Sequence, residues 1–466
     1  MNPSLVRAIL LFLTGTILAA VSPTAAPRAL AEELAAARES LALGEPQAGL
    51  THLNAILRLE PSLGFLHRPA AQAALAGNDR GAALAHIEQA LHIEPEAEDL
   101  ECLRFEALAM TRGAPARTPI PASCQGSARL HRRRAQALTA AGQFEEALGE
   151  AGVSARLDPQ DADSHRLRAV LAAALGTESA LSLSRDARRL TGPEDRLLTD
   201  LVTTLGLSSS SAPTEAAVRA GQVFLKHQLW TEAAAAFERA VDLAPGDLGA
   251  QAYLAYARSA LDEQAIQQLR GIRQHAPDAP LPYLLEAMAL RQHGRPSAAI
   301  PLLEAGLALS PENPAMLAEM GAAQMTAGDL AQAAGWYRRA AEAAATEPAY
   351  WGLLAQFSLD HGFDIAGLAL PAARNAVALE PGSAEAWDQL GHAHLVEGDP
   401  LLADRILRTS IELNPQSASA HYHFGLARLA LADSAGAIAA FQAVLQIDPE
   451  GAYAELARRS LESLGG

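Results

Sequence analysis

The chain is short of aromatic residues, cysteine, lysine and, beyond its first two dozen positions, long apolar runs. Phe, Trp and Tyr make up 5% of its 466 residues although half are hydrophobic, so the apolar content is mostly Ala and Leu. Those are strong helix formers, and no stretch alternates with the period of two that marks a half-buried strand. The expectation is an all-α protein. Lysine occurs once, at Lys226, and every other cation is arginine. A formal net charge of −17 excludes the basic surface that a nucleic-acid duplex demands. The motifs of common chemistries are also missing. There is no G-x-S-x-G turn, no Walker loop, no C-x-x-C, no G-x-G-x-x-G and no H-E-x-x-H. Neither an enzyme nor a cofactor is expected, and the run Ser208–Ser211 reads as a low-complexity join.

What is present begins with the N-terminus, "MNPSLVRAILLFLTGTILAAVSPTAAPRALAEE". Arg7 supplies a positive start, Ala8 to Val21 an apolar core too short to span a bilayer comfortably, and Ala29-Leu30-Ala31 a small-x-small cleavage site. Residues 1–31 are therefore expected to be an export signal, and the protein periplasmic. An uncleaved inner-membrane anchor is the alternative, and a membrane association is expected through this segment or not at all. The two cysteines, Cys102 on a helical stretch and Cys124 in a proline-rich insert (113–127), are expected to form a disulfide in an oxidising compartment. Two inert thiols are the other possibility.

A proline recurs at the end of similar phrases: "LRLEP" at Pro61, "LHIEP" at Pro95, "ARLDP" at Pro159, "VDLAP" at Pro245, "RQHAP" at Pro277 and "LALSP" at Pro311. "VALEP" at Pro381, "IELNP" at Pro415 and "LQIDP" at Pro449 complete the series. Proline cannot continue a helix, so spacings near 34 imply one helical pair per period. Within a period, small and bulky apolar residues alternate in fixed places. Thr214 to Pro245 is the clearest copy, with Gly221, Phe224, Ala233, Phe237, Ala240 and Pro245; Trp387, Leu390, Gly391 and Ala403, then Phe424, Gly425, Ala437 and Phe441, fill the same places later. This pattern resembles the tetratricopeptide repeat (TPR).

Eleven copies can be placed: 30–61, 64–95, 128–159, 162–192, 214–245, 248–277, 280–311, 314–347, 348–381, 384–415 and 418–449. A capping helix follows within "AYAELARRSLESLGG". The resemblance implies an α-solenoid in two segments, 32–207 and 214–466, with a linker at 208–213 between them.

It also implies a concave groove lined by the first helix of each pair, binding a protein or peptide partner. In the N-terminal half the groove positions include Arg38, Arg68, Arg129, Arg132 and Arg166. In the C-terminal half they are mostly apolar: Val218, Leu225, Tyr256, Leu281, Leu284, Met288, Met325, Tyr422 and Leu426. Residues 28–207 hold 19 Arg against 24 acids and residues 208–466 hold 16 Lys+Arg against 29 acids, net −5 and −13. The arginines are expected to grip an acidic segment and the apolar positions a hydrophobic one. The function expected is a non-enzymatic scaffold in a bacterial envelope, with envelope assembly or exopolysaccharide export as roles suggested by similar exported arrays. The competing expectation is a metal- or ligand-binding protein using His392, His394, His421 and His423. Residues i and i+2 of a helix point about 200° apart, so neither pair can share an ion by itself.

Overall fold

A computed structural model describes residues 28–95, 97–109, 119–192, 195–208 and 212–465. Among them are twenty-five α-helices and no strand. The chain divides into two compact units, 1–261 and 262–466. In the first unit, α1 (Arg28–Ala42) pairs with α2 (Pro46–Leu59), and α3 (His67–Ala76) with α4 (Arg80–Ile93). A lone helix, α5 (Glu98–Ala109), precedes the pairs α6 (Ala128–Ala140) with α7 (Phe144–Leu157) and α8 (Ala162–Ala174) with α9 (Ala180–Thr191). A second lone helix, α10 (Arg196–Leu207), leads to α11 (Pro213–Lys226), α12 (Trp230–Leu243) and α13 (Leu248–Ser259).

The second unit starts with a 3-10 turn at Glu263–Ala265 and α14 (Ile266–His275). Four pairs follow: α15 (Pro280–Gln292) with α16 (Pro296–Leu309), α17 (Pro314–Thr326) with α18 (Leu330–Ala343), α19 (Pro348–His361) with α20 (Leu370–Leu379), and α21 (Ala384–Val396) with α22 (Pro400–Leu413). The last pair, α23 (Ala418–Ala430) and α24 (Ser434–Ile447), is closed by α25 (Ala452–Ser463). No helix among the described residues is long and apolar enough to cross a membrane.

Local chemistry sets the helix ends. Asn313, Asp329, Ser383, Asp399, Ser417 and Asp433 each accept a bond from the backbone N–H three residues on, satisfying a donor that the first turn leaves orphaned. Proline opens α15 to α17, α19 and α22, where its missing N–H costs nothing. Within a pair, close approach depends on a small residue. A Cβ at Gly221 would sit 2.5 Å from the Phe237 ring, and one at Gly425 2.5 Å from the Phe441 ring.

The expected linker, 208–213, includes residues 209–211, which lie outside the described residues; on either side of it Leu197, Leu198 and Leu201 of α10 share one core with Ala220, Val223 and Phe224 of α11. Asp200 also bonds His227 at 2.8 Å and pairs with Lys226 at 2.9 Å. The compact units part instead at Leu261–Asp262, inside the copy 248–277. Cys102 and Cys124 are joined by a disulfide, and Phe105, Ile120 and Leu130 pack around it. Ala29–Ala31, the expected cleavage site, lies in the first turn of α1, where Leu30 is buried.

Candidate protein-binding groove

The arginines expected to face a partner are held by acids of this chain. Arg68 pairs with Glu94 at 2.6 Å and Asp99 at 3.2 Å, and Arg129 with Glu106 at 2.5 Å. Arg132 Nη1 donates to both oxygens of Asp161, at 2.6 and 2.7 Å, and to Asp163 at 3.1 Å. Arg166 Nε donates to Asp195 at 2.9 Å. The cause is the stack. Arg68, Arg132 and Arg166 each meet an acid at the start of the next first helix or lone helix, Arg129 meets Glu106 on the preceding helix α5, and each guanidinium is engaged in joining neighbours. Glu106 is buried; burial raises its pKa, and the surrounding Arg129, Arg133 and Arg132 oppose that rise. Arg38 is exposed.

The apolar set is likewise largely turned into packing. Tyr256 is 2% exposed, its ring edge-on to Trp230 at 5.8 Å, and Leu284 is buried. Val218 and Leu225 pack on the first unit's core and Met325 on a core of the second. Leu281 and Met288 are half-buried. Tyr422 and Leu426 pack near the C-terminal cap, and the Tyr422 ring lies 5.6 Å from Phe441 and 5.4 Å from Tyr453.

The four histidines do not converge. His421 Nε2 lies 3.1 Å from the carbonyl of Pro415, six residues back. Gln251, Tyr283, Trp351 and Trp387 make the same tie to the carbonyl six residues earlier, at 2.6, 3.1, 3.0 and 2.8 Å. His421 therefore fills a recurring slot that pins the turn between repeats. His394 is buried elsewhere, its pKa lowered by burial and by Arg374. His392 and His423 do meet, with rings stacked at 4.0 Å, and His423 Nδ1 pairs with Asp388 at 2.8 Å. Burial first, and His423 second, push the His392 pKa down to about 4, so the ring is neutral at pH 7. Among the described residues no group of three or more His, Cys, Asp or Glu could hold a metal ion.

Pattern reading missed a set of buried acids and amides. Glu286 lies between Arg270 and Arg273, and Glu319 accepts two bonds from Arg291. On adjacent first helices, Gln356 of α19 and Gln389 of α21 join Asp360 in a short relay, with Asp388 and His392 also on α21. In the first unit His67 and His86 face each other, Nδ1 to Nδ1 at 2.9 Å, with His86 pushed down to about 4 chiefly by burial. An acid 29 positions after Arg132 and after Arg166 was visible in the sequence; the amide relay has no such signature.

The geometry defines a class: antiparallel helix pairs stacked through small-residue contacts, with an outer face of second helices and an inner face of first helices. The tetratricopeptide-repeat family profile matches residues 290–357 and again 389–452. Over those two stretches the chain carries tetratricopeptide repeats, a repeat that serves as a protein-binding scaffold. No curated protein matches the chain. Similar solved structures include YrrB, described as a TPR protein with an unusual peptide-binding site (19% identity over 41% of this chain and 97% of YrrB, TM-score 0.34). MamA residues 41 to the end, from Desulfovibrio magneticus RS-1, shows 20% identity over 36% of this chain and 95% of its own, TM-score 0.33. Yeast Tom70 shows 13% identity over 94% and 95%, TM-score 0.40.

Proposed function

We propose that this protein is an exported, non-enzymatic scaffold that holds protein partners in the envelope of a Gram-negative-type bacterium, in envelope assembly or exopolysaccharide export. The observation that carries the scaffold reading is the array itself: ten helix pairs, five in each compact unit, each packed on the pair before or after it within its unit. Support for export comes from the segment Arg7 to Ala31 and from the Cys102–Cys124 disulfide, a bond that oxidising compartments favour.

The binding surface is assigned to the second unit, between α19 and α25. There the inner face keeps polar groups that the stacking does not consume. Two measurements test the reading. Affinity capture from envelope extracts in mild salt recovers a reproducible partner if the scaffold reading holds, and none if it fails. N-terminal sequencing of the protein from the periplasmic fraction separates cleavage after Ala31 from a retained anchor. Cleavage there removes the first turn of α1, including buried Leu30, so a start upstream of Arg28 supports a retained or differently processed segment.

A further inference from the structure

Residues 351–400 carry seven acidic side chains and one cation, Arg374. Three of these residues' neighbours on the inner face form a relay whose polarity is fixed by chemistry. An ionised carboxylate can only accept. Gln356 Nε2 donates to Asp360 Oδ1 at 2.6 Å, which leaves Gln356 Oε1 to accept from Gln389 Nε2 at 3.2 Å. The relay therefore ends on Gln389 Oε1. Gln389 is 6% exposed, and that oxygen has no hydrogen-bond donor. Leaving a buried acceptor unpaired costs about 1–3 kcal/mol, so the site is incomplete by one donor.

The oxygen faces Gly352 on α19. A Cβ at position 352 would lie 3.5 Å from Gln389 Oε1, an ordinary contact, and its only neighbours within 4 Å would be the oxygen and nitrogen of that amide. Packing does not demand this glycine, unlike Gly221 and Gly425, and mid-helix glycine is costly. Its effect is a notch beside the orphaned acceptor. Two acids lie on the helices that carry the relay. Asp360 is exposed and forms the relay's other end, and Asp388, buried and hydrogen-bonded to His423, is on the next first helix. Burial first, then Asp388 and Asp360, raise the Tyr453 hydroxyl to about 12. His392 beside them is neutral at pH 7 and adds no opposing charge.

We propose that this notch binds an arginine or lysine side chain of a protein partner, whose N–H donates to Gln389 Oε1 while its charge is held by Asp360 and Asp388. The proposal rests on the scaffold reading and names the partner chemistry of its groove. The partner's complementary segment is basic, opposite in sign to the segment that the N-terminal arginines suggested in the sequence.

The test uses the full chain and fluorescein-labelled Gly-Ser peptides carrying a central Arg-Arg, Lys-Lys or Glu-Glu pair, read by fluorescence anisotropy. The expected result is that Arg-Arg or Lys-Lys binds at least about tenfold more tightly than Glu-Glu, in a salt-sensitive manner. Asp360→Asn and Gly352→Val each remove about tenfold or more, with helix content unchanged by circular dichroism. Glu342→Gln, an exposed acid on the second helix α18, changes nothing. Equal binding of basic and acidic peptides overturns the proposal, and so does basic-peptide binding untouched by Asp360→Asn and Gly352→Val in folded protein. If envelope capture recovers a partner while the basic peptides show no preference, the scaffold stands and the clamp is refuted.

Discussion

Gly221 sits in the middle of α11, where alanine would ordinarily be the better helix former. Gly221→Ala sets two effects against each other. Removing glycine from a helix interior gains about 0.5–1 kcal/mol. Against this, the new Cβ would lie 2.5, 2.6 and 2.8 Å from three atoms of the Phe237 ring, and Phe237 is fully buried among Phe224, Ala220 and Ala233. A ring so enclosed cannot swing away, and overpacking of this kind costs about 1–3 kcal/mol. The net expectation is a loss of about 1 kcal/mol. Gly149 in α7 is the opposite case: a Cβ there meets nothing within 4 Å, so Gly149→Ala should gain about 0.5–1 kcal/mol. Urea unfolding followed by circular dichroism reads the sign. Hydrogen exchange in α11 and α12 locates the change, because repeat arrays open in segments. Adding Phe237→Leu to Gly221→Ala should relieve the clash and give a coupling of about 0.5–3 kcal/mol. The same sign at positions 221 and 149, or strict additivity with Phe237→Leu, would refute the close-approach account.

The remaining predictions concern charge, backbone and the covalent tie. His392 has a folded pKa of about 4, below its ordinary 6.5, so protonation favours the unfolded chain. Its contribution is intact above pH 6.5 and is lost as pH falls toward 4, roughly 2 kcal/mol at pH 5; His392→Gln should flatten the urea-midpoint slope of the second unit, and parallel slopes would sink the argument. Ala432 holds φ of 60° in the turn between α23 and α24, so Ala432→Gly should raise stability by about 1 kcal/mol in a thermal melt. Arg132→Ala, which breaks the contacts to Asp161 and Asp163, should cost about 1 kcal/mol and less in high salt, whereas Arg189→Ala at a 78%-exposed side chain should be nearly silent. Cys124→Ser, or reduction, opens a crosslink across 22 residues and should lower local stability by up to about 3 kcal/mol; a melt indifferent to reductant would count against it.

The repeat register was legible because it is carried by residues that cannot be exchanged. Proline stops each second helix, and Gly221, Gly391 and Gly425 stand where Phe237, Leu407 and Phe441 press closest. The lone helices α5 and α10 were legible for the same reason, lying between complete copies. The division into units was not. "LSSSSAP" reads as a flexible join, yet what decides continuity is whether the flanking side chains share a core, and Leu197 and Leu201 do so with Val223 and Phe224. Composition reports the chain between two helices and is silent about the helices' facing sides. The division at Leu261–Asp262 has no compositional mark for the same reason.

The site followed a different logic. Register placed Arg132 and Arg166 on the inner face, but a face is shared with the neighbouring repeat before any partner arrives. Arg132 and Asp161 are 29 residues apart, Arg166 and Asp195 29, and Arg291 and Glu319 28. That interval, a little under one period, brings these three arginines against an acid of the neighbouring repeat, and all three are already paired. Groups left free for a partner are those whose one-step neighbours cannot satisfy them. Gln389 qualifies because Gln356, 33 positions earlier, turns its amide nitrogen to Asp360 and presents its oxygen to Gln389. Groove residues in a repeat array are therefore better sought by asking which inner-face polar groups remain unsatisfied by the adjacent repeat than by charge alone, and Gln389 on α21 meets that test in the half that the arginines left aside.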